Sequence, residues 1–130
     1  MIDHISFYAT NFDATKAFYD AVLLPLGYGC NIEMTASWDE EFPTRRLAAY
    51  GTGDQHSFWV IEVHEPASPR HIAFHAASPA AVDAFHTAGL TAGATDNGAP
   101  GPRPQYHANY YGAFLLDPDG NNVEAVNHGG

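Results

Sequence analysis

The chain has little of three things: cysteine, positive charge and long apolar runs. Its 130 residues include a single cysteine, Cys30, so an internal disulfide is excluded and a reducing, cytoplasmic compartment is expected. Five lysines and arginines stand against 15 aspartates and glutamates, which gives a formal charge of −10. Such a surface would repel a phosphate backbone, so we expect no nucleic-acid partner. No apolar run approaches the ~20 residues of a membrane span, and no membrane partner is expected either.

What the chain does contain is an internal repeat. Residues 4–22 and 71–89 carry the same pattern at a fixed offset of 67. The matching pairs include His4 with His71, Ile5 with Ile72, Phe7 with Phe74 and Phe18 with Phe85. A repeat of this size indicates a duplicated supersecondary unit. We therefore divide a single domain, 1–130, into a first module of about 1–66 and a second of about 67–130.

The first module reads as a strand, a helix and further strands. Residues 2–9 alternate between two faces, which predicts a strand. Asn11 suits the N-cap of a helix with an apolar stripe, and Pro25 ends that helix. Three further segments are predicted as antiparallel strands, near 28–35, 44–51 and 56–64.

The second module repeats this order. Residues 70–77 alternate again, and Ser78-Pro79 is typical of a helix start. A Gly/Pro-rich stretch at 98–104 is expected to lead to a strand ending at Leu116. The turn 117–121 and a last strand then follow.

One module is too small to close a core alone. Two of them side by side predict an α+β fold, with a curved sheet, helices outside and a groove enclosed by the strands.

Each module offers one histidine and one carboxylate in otherwise apolar strands. His4 and His71 open the first strands, while Glu62 and Glu124 lie in the last ones, 58 and 53 residues further on. A carboxylate within a buried strand is costly unless it is paired, protonated or bound to a metal. Imidazole and carboxylate together suit a divalent cation, which can polarise a carbonyl or stabilise an enediolate. The alternative is that these histidines and glutamates face solvent on an antiparallel sheet.

Other residues are candidates for lining the groove and binding substrate. Phe58 and Trp59 alternate along a strand, so one of them should face the groove, and Trp59 is the candidate for binding substrate. Arg103 could meet an anionic substrate group. The aromatic candidates before the penultimate strand are His107, Tyr110 and Tyr111. Three further histidines are interpreted as surface residues: His56, His86 and His128.

Three segments resemble the vicinal oxygen chelate superfamily, also called the glyoxalase/bleomycin resistance/dioxygenase superfamily. They are DHISFYATNFDATKAFYDAVLLPLGY, RHIAFHAASPAAVDAFHTAG and YYGAFLLDPDGNNVEAV. The resemblance implies two βαβββ modules in a U-shaped, partly closed mixed β-barrel, usually in a homodimer. It also implies metal ligands at His4, His71 and Glu124, and a fourth position on the strand 56–64.

Two alternatives remain for the fourth position. Glu62 would make the site similar to that of glyoxalase I, where a carboxylate at this place also serves as the base. A shift in strand register would put Trp59 or Val60 there instead. The site would then resemble the three-ligand members of the fosfomycin-resistance and extradiol-dioxygenase types.

The resemblance implies a metal-dependent enzyme of glyoxalase I-like lyase or isomerase type. Its substrate would be a small molecule with vicinal oxygens, and Glu62 or Glu124 would move the proton. The cofactor would be a divalent ion: Zn, Ni, Fe, Mn or Co. The alternatives are a metal-free drug-binding resistance protein and an extradiol-type dioxygenase, because fold alone does not fix function.

Overall fold

A computed structural model describes residues 1–129. The first module contains β1 (Ile5–Ala9), α1 (Phe12–Leu23), β2 (Gly29–Thr35), β3 (Arg46–Gly51) and β4 (Phe58–Glu62). The second contains β5 (His71–His75), α2 (Pro79–Thr91), β6 (Thr95–Pro102), β7 (Tyr111–Leu116) and β8 (Asn122–Asn127). The predicted α+β fold of two βαβββ modules is confirmed.

Both modules build the same four-stranded mixed sheet. The strand orders are β1-β4-β3-β2 and β5-β8-β7-β6. In each sheet the first strand pairs in parallel with the last, and the remaining pairs are antiparallel. The two sheets are not joined by hydrogen bonds, and neither closes on itself, which is consistent with a partly closed barrel.

Both helices begin where the sequence predicts, and α1 ends before Pro25 as expected. The side chain of Asn11 accepts a hydrogen bond from the backbone N–H of Ala14, and Ser78 does the same for Ala81. Pro79 occupies the first turn of α2, where its missing N–H is not needed. After α1, a 3₁₀ turn ends at Gly27, whose φ of 88° favours glycine.

Each helix covers one face of its own sheet, and the two helices pack against each other. Along β4, Phe58 and Val60 lie in the core, while Trp59 and Ile61 on the opposite face are half-buried. The modules therefore join through their helices, and the other face of each sheet is left partly open.

The turn between β7 and β8 fastens the second module to the first. The Asp117 carboxylate accepts hydrogen bonds from the buried Tyr19 hydroxyl at 2.7 Å and from the Asn121 backbone N–H at 2.9 Å. Two residues on, Asp119 accepts from the Thr10 hydroxyl at 2.6 Å. These bonds link the turn to α1 and to the end of β1. The DPDGN sequence thus has a structural role in this chain.

One strand differs from the sequence-based expectation. Residues predicted as a Gly/Pro-rich stretch before a strand form β6 itself, which pairs with β7. The register shifts between Asp96 and Gly98 and again between Gly98 and Gly101. Proline and glycine are tolerated here because β6 is an edge strand with irregular pairing.

Among residues 1–129, no helix has both the length and the apolarity needed to cross a membrane.

Candidate functional site

The most deeply buried acidic side chain of the second module is Glu124. It lies on the open face of β8, opposite Ala73 of β5, yet only 2% of its surface is exposed. Oε1 of its carboxylate lies 3.2 Å from Nε2 of His71. Its other oxygen, Oε2, accepts a hydrogen bond from the Tyr110 hydroxyl. The structure therefore brings together His71, Glu124 and Tyr110, which the sequence placed on separate segments.

The His71 ring is oriented so that a cation fits between it and Glu124. Nδ1 of His71 lies 3.1 Å from the carbonyl oxygen of Asn122, and a carbonyl can only accept. Nδ1 therefore carries the proton, and in the neutral ring the lone pair of Nε2 faces a carboxylate oxygen. Two electron-rich atoms in this arrangement need a proton or a cation between them. Their separation of 3.2 Å matches two ligands of one metal ion, which lie about 3.0–3.4 Å apart when each bond is about 2.1 Å.

The first module contributes a groove that contains His4. A cavity of about 660 Å³ is lined by residues of this module, among them His4, His56 and Trp59. Nδ1 of His4 lies 2.7 Å from the Asp3 carboxylate, so it carries the proton and leaves Nε2 with its lone pair. Metal-binding histidines are commonly oriented in this way by a carboxylate or carbonyl.

His56 is a candidate functional residue that the sequence did not identify. The side-chain amide of Asn31 donates to the carbonyl oxygens of Gly53 and Gln55, at 3.0 and 2.6 Å. This fixes the amide so that its oxygen faces Nδ1 of His56 at 2.8 Å. Nδ1 must donate, so Nε2 carries the lone pair. The one available signal was local: His56 lies three residues before Trp59.

Glu62 lies on the other face of its strand. Trp59 pairs with Ser6 of β1, whereas Glu62 pairs with Ala9, three residues further on. An odd offset reverses the side of the sheet. There, Glu62 accepts hydrogen bonds from the backbone N–H and guanidinium of Arg46, at 2.9 and 3.0 Å. The hydrogen bond from the Arg46 side chain holds the pKa of Glu62 below its ordinary value.

The register identifies the true counterpart of Glu124 in the first module. Ser6 plus the offset of 67 gives Ala73. Ser6 pairs with Trp59, and Ala73 pairs with Glu124. The fourth position is therefore occupied by Trp59, which favours the three-ligand alternative that the sequence left open.

The remaining predicted residues occupy different surroundings. Arg103 donates to the carbonyl oxygens of Ala99 and Gly101, at 2.7 and 2.9 Å, and its guanidinium lies over the Phe114 ring. Its donors are thus largely engaged by β6. Tyr111 donates to Asp83 of α2 at 2.7 Å and is not brought together with Glu124.

His107 lies beside the group formed by His71, Glu124 and Tyr110. Its Nε2 lies 2.9 Å from Nδ1 of His128, and its ring packs edge-on against Tyr110. His86, interpreted from the sequence as a surface residue, is instead 7% exposed and pairs with Asp96 at 2.9 Å.

A single chain does not bring the two histidines of the repeat together. His71 and Glu124 are absent from the lining of the groove that contains His4. Across residues 1–129, no three His, Cys, Asp or Glu side chains are arranged to hold one metal ion. Each module therefore presents its own group of side chains: His4 with Trp59 and His56 in one, His71 with Glu124 and Tyr110 in the other.

No curated protein matches the chain. Solved structures do match it, and they have the same architecture. A glyoxalase/bleomycin resistance protein from Albidiferax ferrireducens T118 is 30% identical, with 95% of each chain covered and a TM-score of 0.72.

Two structures with lower identity have the same fold. Lactoylglutathione lyase from Agrobacterium tumefaciens is 21% identical, with 97% of this chain and 92% of that chain covered and a TM-score of 0.66. A point mutant of the fosfomycin resistance protein FosX from Listeria monocytogenes, in complex with Mn(II), is 17% identical. That match covers 100% of this chain and 92% of the other, with a TM-score of 0.69.

The profile of the Glyoxalase/Bleomycin resistance protein/Dioxygenase superfamily matches residues 1–125, which is nearly the whole chain. Together with two βαβββ modules of identical strand order, this match shows that the chain belongs to that superfamily.

Proposed function

We propose that the chain is a divalent-metal-dependent enzyme of lyase or isomerase type that acts on a small substrate with adjacent oxygens. The observation that carries this proposal is Nε2 of His71 facing the Glu124 carboxylate at 3.2 Å, with Nδ1 of the same ring held by the carbonyl oxygen of Asn122. His4 would supply the third ligand. When bound, the cation would polarise a substrate carbonyl as a Lewis acid. Zn, Ni, Fe, Mn and Co all accept imidazole and carboxylate ligands, and the FosX neighbour was crystallised with Mn(II).

We further propose that a second copy of the chain completes the site. His4 lies in one incomplete half, and His71 with Glu124 in the other. Each sheet leaves one face partly open, so the first-module half of one copy can meet the second-module half of another. A closed twofold homodimer would then contain two equivalent sites.

The proton-transfer role suits His56 better than either glutamate. Glu62 is bound to Arg46 on the opposite face of β4, and both oxygens of Glu124 already have partners. His56 lines the groove, and the contact of its Nδ1 with Asn31 leaves the lone pair on Nε2 in the neutral ring. A fixed tautomer next to the substrate is what a general base requires. Trp59, whose ring packs edge-on against His56, would form a wall of the substrate pocket.

Metal binding is the first test. His71→Gln and His75→Gln change two histidines on the same face of β5, and only His71 contacts Glu124. We expect His71→Gln to lower the affinity for Zn(II) or Ni(II), measured by competition with a chromophoric chelator, by about 100-fold or more. His75→Gln should leave it unchanged. Equal affinities in both variants and the unmodified chain would contradict the proposal.

His56 is tested by kinetics once a substrate is found by screening hemithioacetals and 2-oxo compounds. We expect His56→Gln to lower kcat by about 10²–10⁴-fold, the usual contribution of a general base, with KM and metal affinity little changed. His64→Gln is the control, because His64 stacks on Phe42 outside the groove. A kcat unaffected by His56→Gln would remove it from the mechanism.

A second function follows from Trp59 at the fourth position. A three-ligand set also suits the extradiol-dioxygenase type, in which Fe(II) would be the metal. Oxygen consumption by the Fe(II)-loaded chain with a panel of catechols would support this alternative over proton transfer.

A further inference from the structure

The two oxygens of the Glu124 carboxylate have different partners. Oε1 faces Nε2 of His71, and Oε2 accepts the hydrogen bond from the Tyr110 hydroxyl. A carboxylate whose second oxygen is held by a donor binds a cation most readily through the first oxygen alone.

We propose that Tyr110 is a positioning residue that holds Glu124 as a ligand through one oxygen only. Its phenol occupies Oε2 and leaves Oε1 for the cation. This inference rests on the metal-dependent function proposed above.

The surroundings of Tyr110 keep the phenol in this position. Gly112 lies between the two side chains, and a Cβ there would lie 3.1 Å from the Tyr110 ring and 3.2 Å from Oε2 of Glu124. The ring packs edge-on against Tyr106, at a centroid distance of 4.8 Å, and against His128, at 5.3 Å. The phenol is the donor in this contact, because an ionised carboxylate oxygen can only accept.

The number of positions open to substrate depends on this contact. A carboxylate that binds through one oxygen leaves one more position on the cation than a carboxylate that binds through both. A substrate with two adjacent oxygens needs two open positions. By holding Oε2, Tyr110 would keep room for both oxygens and would prevent Glu124 from leaving the metal to act as a base.

The test compares Tyr110→Phe with Tyr106→Phe. Both variants keep the ring and remove one hydroxyl, but only Tyr110 bonds to Glu124. The separation of the carboxylate stretching bands, measured by infrared spectroscopy with and without Zn(II), reports whether one or both oxygens bind. The Co(II) absorption spectrum reports the coordination number. Circular dichroism checks that both variants fold.

We expect Tyr110→Phe to narrow the infrared band separation, to alter the Co(II) spectrum and to change the metal affinity by about tenfold. Tyr106→Phe should match the unmodified chain in all three measurements. A metal-bound Tyr110→Phe with unchanged spectra would overturn this inference and leave the proposed function standing. Absence of metal binding by the unmodified chain would overturn both.

Discussion

The two modules have the same strand order and matching helices, yet they differ at one equivalent position of the last strand. Where the second module has Glu124 opposite Ala73, the first has Trp59 opposite Ser6. One copy therefore presents a carboxylate and the other an aromatic wall. His4 and His71 stand at matching positions of the repeat, whereas the last strands differ at this position.

The loops before the last strands have diverged in the same way. The β3–β4 loop carries His56 into the groove, held by Asn31. The corresponding β7–β8 turn carries Asp117 and Asp119, which fasten the second module to the first. Equivalent loops thus line a groove in one module and connect the two modules in the other.

The largest expected effect is a difference in metal affinity between variants of the two glutamates, Glu124 and Glu62. Glu124→Gln should lower metal affinity by more than about 100-fold, because it removes a buried ligand charge. Glu62→Gln should leave metal affinity unchanged, because Glu62 is bound to Arg46 on the opposite face. Metal titration by calorimetry measures both. Loss of binding in Glu62→Gln would restore the four-ligand interpretation.

A large effect on stability is expected from Asp117→Ala. It leaves the buried Tyr19 hydroxyl without its acceptor, and Tyr19 is 0% exposed. We expect the free energy of unfolding in urea to fall by about 2–3 kcal/mol. Asp54→Ala, in the exposed β3–β4 loop, is the control and should change it by less than about 0.5 kcal/mol. Similar losses in both variants would contradict the structural role of the turn.

The register of β4 can also be tested by adding a carboxylate metal ligand to the first module. Trp59→Glu places a carboxylate at the position that corresponds to Glu124, so we expect metal affinity to rise by about tenfold, or ~1.4 kcal/mol. Ile61→Glu changes the same face of β4 two residues further on and should not raise it. Chelator competition distinguishes the two. An equal or larger rise in Ile61→Glu would show that the register is wrong.

The smallest effect concerns the pH dependence of the first module. Arg46 lowers the pKa of Glu62 in the folded chain, so the pair stabilises the fold above the ordinary value of 4.5. That contribution is lost as the pH falls through the lowered folded value. Arg46 is partly exposed, so solvent screens the pair. At pH 7, Glu62→Gln should therefore lower the free energy of unfolding by much less than Asp117→Ala does. Urea unfolding of Glu62→Gln should therefore differ slightly from the unmodified chain at pH 7, and the difference should shrink as the pH falls below 4.5.

Much of the fold follows from local signals in the sequence. Asn11, Ser78 and Pro79 mark helix starts through their own side chains or rings, and these are contacts within one turn. The β6 strand was missed because Pro and Gly disfavour strands in general, and only its edge position makes them acceptable.

The candidate site was less predictable because it depends on which side of a strand each residue faces and on contacts between residues far apart in the sequence. The spacing from His4 to Glu62 resembles that from His71 to Glu124, but an offset of three residues along β4 puts Glu62 on the opposite face. His56 is oriented by Asn31, 25 residues earlier, and nothing in the sequence links the two. The separation of the halves depends on how the helices pack, which the repeat does not specify.

The central claim is that each site combines the first-module half of one copy with the second-module half of another. Mixing His4→Gln with Glu124→Gln chains, after unfolding and refolding them together, tests it most directly. Neither variant alone should bind metal. Random pairing should restore about a quarter of the sites of the unmodified protein, because half of the dimers would be mixed and each would contain one intact site. No restored binding in a mixture that is shown to contain mixed dimers would contradict the account.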